Sequence, residues 1–394
     1  MKYRILIIAS HDSFLKAAIN TSKYIPYKTL DICIHTQNRI RLSNRQLLDI
    51  GIKDTKLIKY SEINVKEYSK YDLIIISVGN KLFRSFIVQF YNEYSYNHPR
   101  RPLIISVFGG VIFGHIDSIL SRIDSDIILA NSLSDKNIIK KALEIYKKPA
   151  KTINFGLANI HENQVIKRQN GKNIIFIDQV KIPKLELERK FVISKLLDIA
   201  RNNKNNNIIL KIRKLPNEVT VHDEKYPYIK ILESFEDIPN NFIISSEPIS
   251  KLLPTAKIVI SFSSTVILES IYYGIPSFII KDLGIRKDLE NHHFLNSNLY
   301  IDFNDLNHSL VNKEVNKDWY FQNIYFSNRK ENINKAIENA IKKKNNNIIK
   351  KDNLFGGGWM YKENSFKKKL IKLINNPKQF ILDSKILKFI INFI

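Results

Sequence analysis

A single cysteine, Cys33, stands in 394 residues. That scarcity excludes an internal disulfide and a Cys-rich metal site. Its setting in the apolar run Leu30-Asp31-Ile32-Cys33-Ile34 predicts a buried structural thiol, consistent with a reducing compartment. Long apolar runs are also missing, and none approaches the roughly 18–20 residues of a membrane span. The opening MKYRILIIAS has too short an apolar core for a secretory signal and no small-residue cleavage site, so the expected location is the cytoplasm. No G-x-G-x-x-G follows the first predicted strand, which argues against a dinucleotide site there. Acidic residues are in deficit, 38 Asp and Glu against 62 Lys and Arg, leaving a formal net charge of +24. Part of this is drift, because Lys is used heavily throughout. The field still attracts polyanions: nucleic acid, anionic lipid, a nucleotide-sugar or an acidic glycan. No helix-turn-helix, RRM or zinc-finger pattern accompanies the charge, and nucleic acid is not the expected partner.

What is present is globular. Hydrophobic residues make up 44% of the chain and aromatic residues 11%, and the length suffices for two cores. Residues 1–165 alternate predicted strands (Tyr3–Ala9, Leu30–His35, Leu73–Val78, Leu103–Phe108, Asp126–Ala130, Lys151–Phe155) with helical patterns over Asp12–Tyr24, Lys81–Tyr94 and Ser134–Tyr146. Such alternation predicts a parallel sheet of the Rossmann kind. A polar stretch, Ile160–Lys172, with its Asn170-Gly171 turn signal reads as a linker. Alternation restarts over 166–340, with strands at Asn173–Asp178, Ile208–Ile212 and Phe242–Ser245, and helices at Leu185–Asn202 and Ile249–Leu253. Residues 341–394 form a basic tail with helical spacing. Its lysine cluster suits either an anionic membrane surface or solvated packing on the fold.

The most informative stretch is Lys257–Asp282. Ile258-Val259-Ile260 is a buried-strand run, Ser261–Thr265 a hydroxyl-rich break, Val266–Tyr273 an amphipathic helix closed by Gly274, and Ser277–Ile280 a second strand. This βαβ unit places Ser263, Ser264 and Thr265 at a carboxyl strand end and a helix N-terminus. Both a phosphate site and a plain capped turn fit that placement.

The pattern S-S-T-x-x-x-E-S-x-x-x-G-x-P resembles the nucleotide-binding segment of GT-B glycosyltransferases of bacterial surface carbohydrates. It is most similar to the serine motif of bacterial sialyltransferases and polysialyltransferases. The resemblance implies two Rossmann-like domains facing a central cleft, with donor on the C-terminal side and acceptor on the N-terminal side, plus C-terminal helices. It implies Ser263, Ser264 and Thr265 on the donor phosphate and Glu269 near the ribose. The nucleotide-sugar would be a substrate, and no cofactor is expected.

Further candidates lie at strand ends. Lys211, Arg213 and Lys214 follow the second strand of the C-terminal half, where the sialyltransferases carry a His-Pro pair; a solvated basic loop fits as well. The run K-x-R-x-x-P-x-E-x-x-x-H, with Tyr226-Pro227-Tyr228 after it, resembles a family of bacterial glycosyltransferases and adds His222. After the first strand, His11 and Asp12 offer a general base for the acceptor hydroxyl, with Ser13 beside them; Asp12 or Ser13 as a helix N-cap is the structural alternative. The acidic-acidic-Gly motif that carries the sialyltransferase base is absent. Gly109 and Gly110 permit either a close substrate approach or a tight turn, an acceptor-side loop being the favoured reading, with His115 beyond them as a second candidate base and Asn131-Ser132 nearby. Asp124-Ser125-Asp126 matches D-x-D formally, but it precedes its strand and reads as structural, so no metal is expected. Asn291-His292-His293 and Phe355-Gly356-Gly357-Gly358-Trp359 carry no assigned role.

The expectation is therefore a cytoplasmic glycosyltransferase, in peripheral contact with the anionic inner membrane through its tail. It would move a sialic-acid-like nonulosonic acid from a CMP-sugar onto a glycan or glycolipid acceptor such as capsule or lipooligosaccharide. The alternatives are a UDP-sugar transferase or 2-epimerase on the same fold, and a non-catalytic polyanion- or membrane-binding protein; for the tail, packing on the fold stands beside membrane contact.

Overall fold

A computed structural model of the chain describes residues 2–35, 42–52, 57–95, 98–112, 114–162, 166, 171–213, 225–308 and 313–345. Two all-parallel sheets form its framework. The first contains β1 (Tyr3–Ala9), β2 (Tyr27–Ile34), β3 (Leu57–Lys59), β4 (Leu73–Ser77), β5 (Leu103–Val107), β6 (Ile127–Ala130) and β7 (Lys151–Asn154). The second contains β8 (Asn173–Ile177), β9 (Asn207–Lys211), β10 (Phe242–Ser245), β11 (Ala256–Ser261), β12 (Ser277–Ile280) and β13 (Tyr300–Ile301). Strands such as β4, β5 and β6 are buried along their whole length. Helices cover both faces of a parallel sheet, so its strands are apolar on both sides.

Strand order is β3-β2-β1-β4-β5-β6-β7 in one sheet and β10-β9-β8-β11-β12-β13 in the other. Apart from β7, the two orders are the same doubly wound plan. Each therefore reverses direction once, between β1 and β4 and between β8 and β11. Loops leaving the carboxyl ends at such a reversal diverge and open a crevice. The predicted GT-B architecture of two Rossmann-like units is the fold observed.

One arginine ties the halves together. After β13 the chain returns through helix Arg329–Asn345, whose Ile333, Ala336 and Ile337 join the core under β1, β5 and β6. Arg329 is fully buried at its start. Its guanidinium donates to the carbonyls of Phe155, Leu157 and Ile160, and lies 3.7 Å from the Phe326 ring centre. Three carbonyls and an aromatic face replace the water that a buried cation would otherwise need. Gly156, at φ +73, passes beside this junction. Among the described residues, no helix is long and apolar enough to cross a membrane.

Candidate active site

The cleft lies where the two strand reversals meet, and encloses about 1320 Å³. On its C-terminal wall, β11 ends at Ser261, and the chain turns through Phe262, which is buried against Phe176. Ser264 takes the N-cap position of helix Thr265–Tyr272, and its hydroxyl accepts from the Val266 N–H at 3.3 Å. The helix closes as expected at Gly274, φ +71. Gly274 N–H donates to Ile271 O at 3.0 Å and Ile275 N–H to Ser270 O at 2.9 Å, the Schellman pattern. Ser263, Ser264, Thr265 and Glu269 all line the cleft. The capping geometry is thus real, and it sits at a helix N-terminus that opens on the cleft.

Glu269, one turn into the helix, is only 6% exposed. Burial pushes its carboxyl up, opposed by Lys16 and by a hydrogen bond with Asn159 of the first half. Lys211, at the end of β9, is lowered to about 8 by burial, with Arg45 and Arg213 adding to the effect. Arg213 follows it into the cleft. His222 lies outside the described residues.

The N-terminal wall starts at Ser10, which occupies the N-cap position of helix His11–Ser22 without a side-chain bond. The cap role considered for Asp12 or Ser13 is thus not the one observed. His11 adopts φ +61, a left-handed conformation that a non-glycine residue holds only when its surroundings compel it. Burial lowers its imidazole below the ordinary value; Asp12 opposes this, while Arg213 and His35 add to it. The balance favours the neutral imidazole. Asp12 accepts from the Ser13 N–H at 2.8 Å, and from Arg213 Nη2 of the opposite wall at 3.3 Å. A second cross-cleft contact joins His115 Nε2 to Glu290 at 3.6 Å.

Gly109 and Gly110 line the cleft too, but their immediate neighbours are protein. A Cβ at Gly109 would meet the Phe14 ring at 2.7 Å, and one at Gly110 would meet Thr265 Cγ2 at 3.3 Å. The glycines bring the β5 loop close to helix His11–Ser22 and to the Ser263–Thr265 turn, and at Gly109 the Phe14 ring leaves no room for a Cβ. Asn131 stands behind this loop, donating to Gly110 O, and Ser132 caps helix Leu133–Ile145; neither lines the cleft.

The sequence of residues 5–340 matches the profile of a family described as "Putative glycosyltransferase (DUF6716)". The chain belongs to that glycosyltransferase family. Several solved structures share its fold: UDP-GlcNAc 2-epimerase from Neisseria meningitidis bound to UDP-GlcNAc, with 15% identity, a TM-score of 0.52, and 86% of this chain and 98% of that one covered; a Staphylococcus aureus MnaA–UDP structure, with 12% identity, a TM-score of 0.54, and 89% and 98% covered; and the Methanocaldococcus jannaschii UDP-GlcNAc 2-epimerase in complex with UDP-GlcNAc and UDP, with 12% identity, a TM-score of 0.51, and 85% and 99% covered. At these identities the likeness is one of fold, GT-B. No curated protein matches the sequence.

Within this GT-B glycosyltransferase, three residues missed by sequence reasoning organise the cleft loops. Gln179, two residues beyond β8, lines the cleft and bonds the Ser261–Ser263 turn. Arg189 is buried and donates to the carbonyls of Gln179, Val180 and Pro183, shaping the loop after β8. Arg122 does the same for the loop after β4, donating to Val78 O and Asn80 Oδ1 while its guanidinium lies over the Phe83 and Phe108 rings. Gln179 was findable, because it follows a strand at the same edge as His11 and Arg213. The arginines carry no such signal, since nothing in composition separates a buried Arg from a solvated one.

The other singled-out groups stand apart. Asp124 pairs with Lys148 at 2.5 Å, and Asp126 takes a bidentate fork from Arg101, both buried at the amino end of β6, away from the cleft. That is the structural role expected of them. Burial lowers His293 to about 4, and its ring meets Trp319 edge-on. Phe355–Trp359 and the rest of the basic tail from residue 346 lie outside the described residues.

Proposed function

We propose that this protein transfers a sugar from a nucleotide-sugar bound on the C-terminal wall to a hydroxyl of an acceptor bound on the N-terminal wall. The observation that carries the reading is the meeting of the two strand reversals: the Ser263–Thr265 turn opens opposite His11 and Asp12. The donor phosphate rests at the N-terminus of helix Thr265–Tyr272, where the backbone N–H groups and helix dipole favour an anion. Arg213 and Lys211 supply cations for the leaving nucleotide as charge develops on it. Glu269 serves the ribose. Asp12 or His11 removes the proton from the acceptor hydroxyl as the glycosidic carbon is attacked, with His115 as the reserve candidate.

The Ser-Ser-Thr resemblance supports a CMP-linked nonulosonic acid as donor and a surface glycan or glycolipid as acceptor. A UDP-sugar is the second reading, favoured by the UDP and UDP-GlcNAc held by proteins of this fold. Peripheral contact with an anionic inner membrane and activity without a metal or cofactor belong to the same proposal. A thermal-shift screen of CMP, UDP, GDP and ADP separates the readings, because a ligand that binds only the folded state raises Tm. A shift with CMP alone selects the nonulosonic acid donor, and a shift with UDP selects the second reading. No shift with any nucleotide overturns both.

A further inference from the structure

Gln179 occupies a place in the cleft that the reading above leaves unassigned. It stands at the β8 side of the strand reversal, and its side chain reaches across to β11. Its Oε1 accepts from the Ser263 backbone N–H at 3.0 Å and lies 3.2 Å from the Ser261 hydroxyl, whose single proton it shares with Ile177 O at 3.0 Å. A backbone N–H can only donate, so this contact fixes which end of the amide is oxygen. The other end is therefore the amide nitrogen, and Ser263 Oγ lies between the two ends, accepting from Nε2 at 3.1 Å and standing 3.3 Å from Oε1. An amide nitrogen carries two hydrogens, and Ser263 Oγ takes one of them. Among the described residues the second hydrogen has no acceptor, although Gln179 lines the cleft beside Ser263 and Ser264. Its main chain is held independently, because Gln179 O accepts from buried Arg189 at 3.0 Å.

We infer that Gln179 both braces the phosphate turn through its oxygen and donates its free amide N–H to an oxyanion of the bound nucleotide. This rests on the nucleotide-sugar reading of the cleft and adds to it a donor-binding residue that no motif marks. The two roles use opposite ends of one amide, so they can be separated chemically. Gln179→Glu keeps an acceptor for Ser263 N–H and the Ser261 hydroxyl and leaves the brace intact. It replaces the donating N–H with a carboxylate oxygen facing the phosphate. Gln179→Met keeps the length and removes both roles.

The test is calorimetric titration with UDP and with CMP, alongside thermal unfolding, on wild type and both variants. Gln179→Glu is expected to melt with the wild type yet bind the active nucleotide at least about ten-fold more weakly, since a charge-assisted hydrogen bond becomes a like-charge contact. Gln179→Met is expected to melt lower and also bind more weakly. Wild-type binding with unchanged affinity in Gln179→Glu overturns the inference and leaves the nucleotide reading standing. Should Gln179→Glu melt well below the wild type, the brace claim fails. A wild type that binds neither nucleotide sinks the reading itself, and this inference with it.

Discussion

Arg213 Nη2 donates to Asp12 Oδ1 at 3.3 Å across the cleft, joining the strand end that follows β9 to the one that follows β1. The two side chains are 38% and 31% exposed, so the pair itself contributes only about 0–1 kcal/mol. Its interest is chemical. The carboxylate proposed to activate the acceptor occupies the cation proposed to hold the donor phosphate. If a bound nucleotide draws Arg213 from Asp12, the carboxylate is freed for the acceptor.

This competition predicts opposite effects from one substitution. Asp12→Asn removes an anion that competes for Arg213, so nucleotide affinity should rise several-fold. The same change removes a proton acceptor, and turnover should fall by about 10²–10⁴-fold. Nucleotide titration and an initial-rate transfer assay read the two effects separately. Turnover that survives in Asp12→Asn would transfer the base role to His11.

The hydroxyl of Ser264 serves the helix, so a plain alanine substitution mixes two effects. Ser264→Ala should cost about 0.5–2 kcal/mol from the lost cap. Ser264→Asp retains a good cap and suits the helix dipole, while setting a negative charge where the phosphate is proposed to rest. Its melting temperature should match the wild type, and nucleotide binding should be lost. Equal binding by Ser264→Asp would move the phosphate elsewhere in the cleft.

At the junction between the halves, Gly156 is held at φ +73, and a Cβ there would lie 2.2 Å from Phe326 Cδ1 and 2.9 Å from Arg329 Nη2. Gly156→Ala combines a left-handed backbone that an L-residue resists with a collision against a buried cation. Denaturant unfolding should show a loss of at least about 2 kcal/mol, the range of core overpacking plus backbone strain. A loss below that would mean that Phe326 and Arg329 can shift without cost.

Much of this was legible because the relevant signals are local. Apolar runs such as Ile5-Leu6-Ile7-Ile8 mark buried parallel strands, and a polar residue just after a strand marks a carboxyl end. That rule alone brought His11, Asp12, Lys211, Arg213, Ser263 and Ser264 to one cleft. What escaped depends on contacts distant in the chain. The edge strand Leu57–Lys59 is three residues long and too short to show a period. The closeness of Phe14 to Gly109 and of Thr265 to Gly110 joins segments far apart in the chain. Arg122, Arg189 and Arg329 hold loops through carbonyls, and no spacing in the sequence announces a carbonyl's partner.

Acid should loosen the fold through its histidines. Burial, reinforced by His292, lowers His293 to about 4, and burial also lowers His11, His35 and His161 below the ordinary value. A histidine whose folded pKa lies below its unfolded value takes up protons more readily when unfolded. The stability it contributes is complete above about pH 6.5 and is lost as pH falls towards the folded value. At about 1.4 kcal/mol per unit, His293 alone accounts for roughly 3 kcal/mol by about pH 4. Asp135 works against this: burial raises its carboxyl to about 6, so its protonation between about pH 6 and 4 favours the folded state. The difference between variants isolates the histidine. His293→Phe retains a ring against Trp319 and Phe294 and has nothing to protonate. Its melting temperature should fall less than that of the wild type between pH 7 and pH 4.5. Parallel curves would show that His293 gains its proton without cost to the fold.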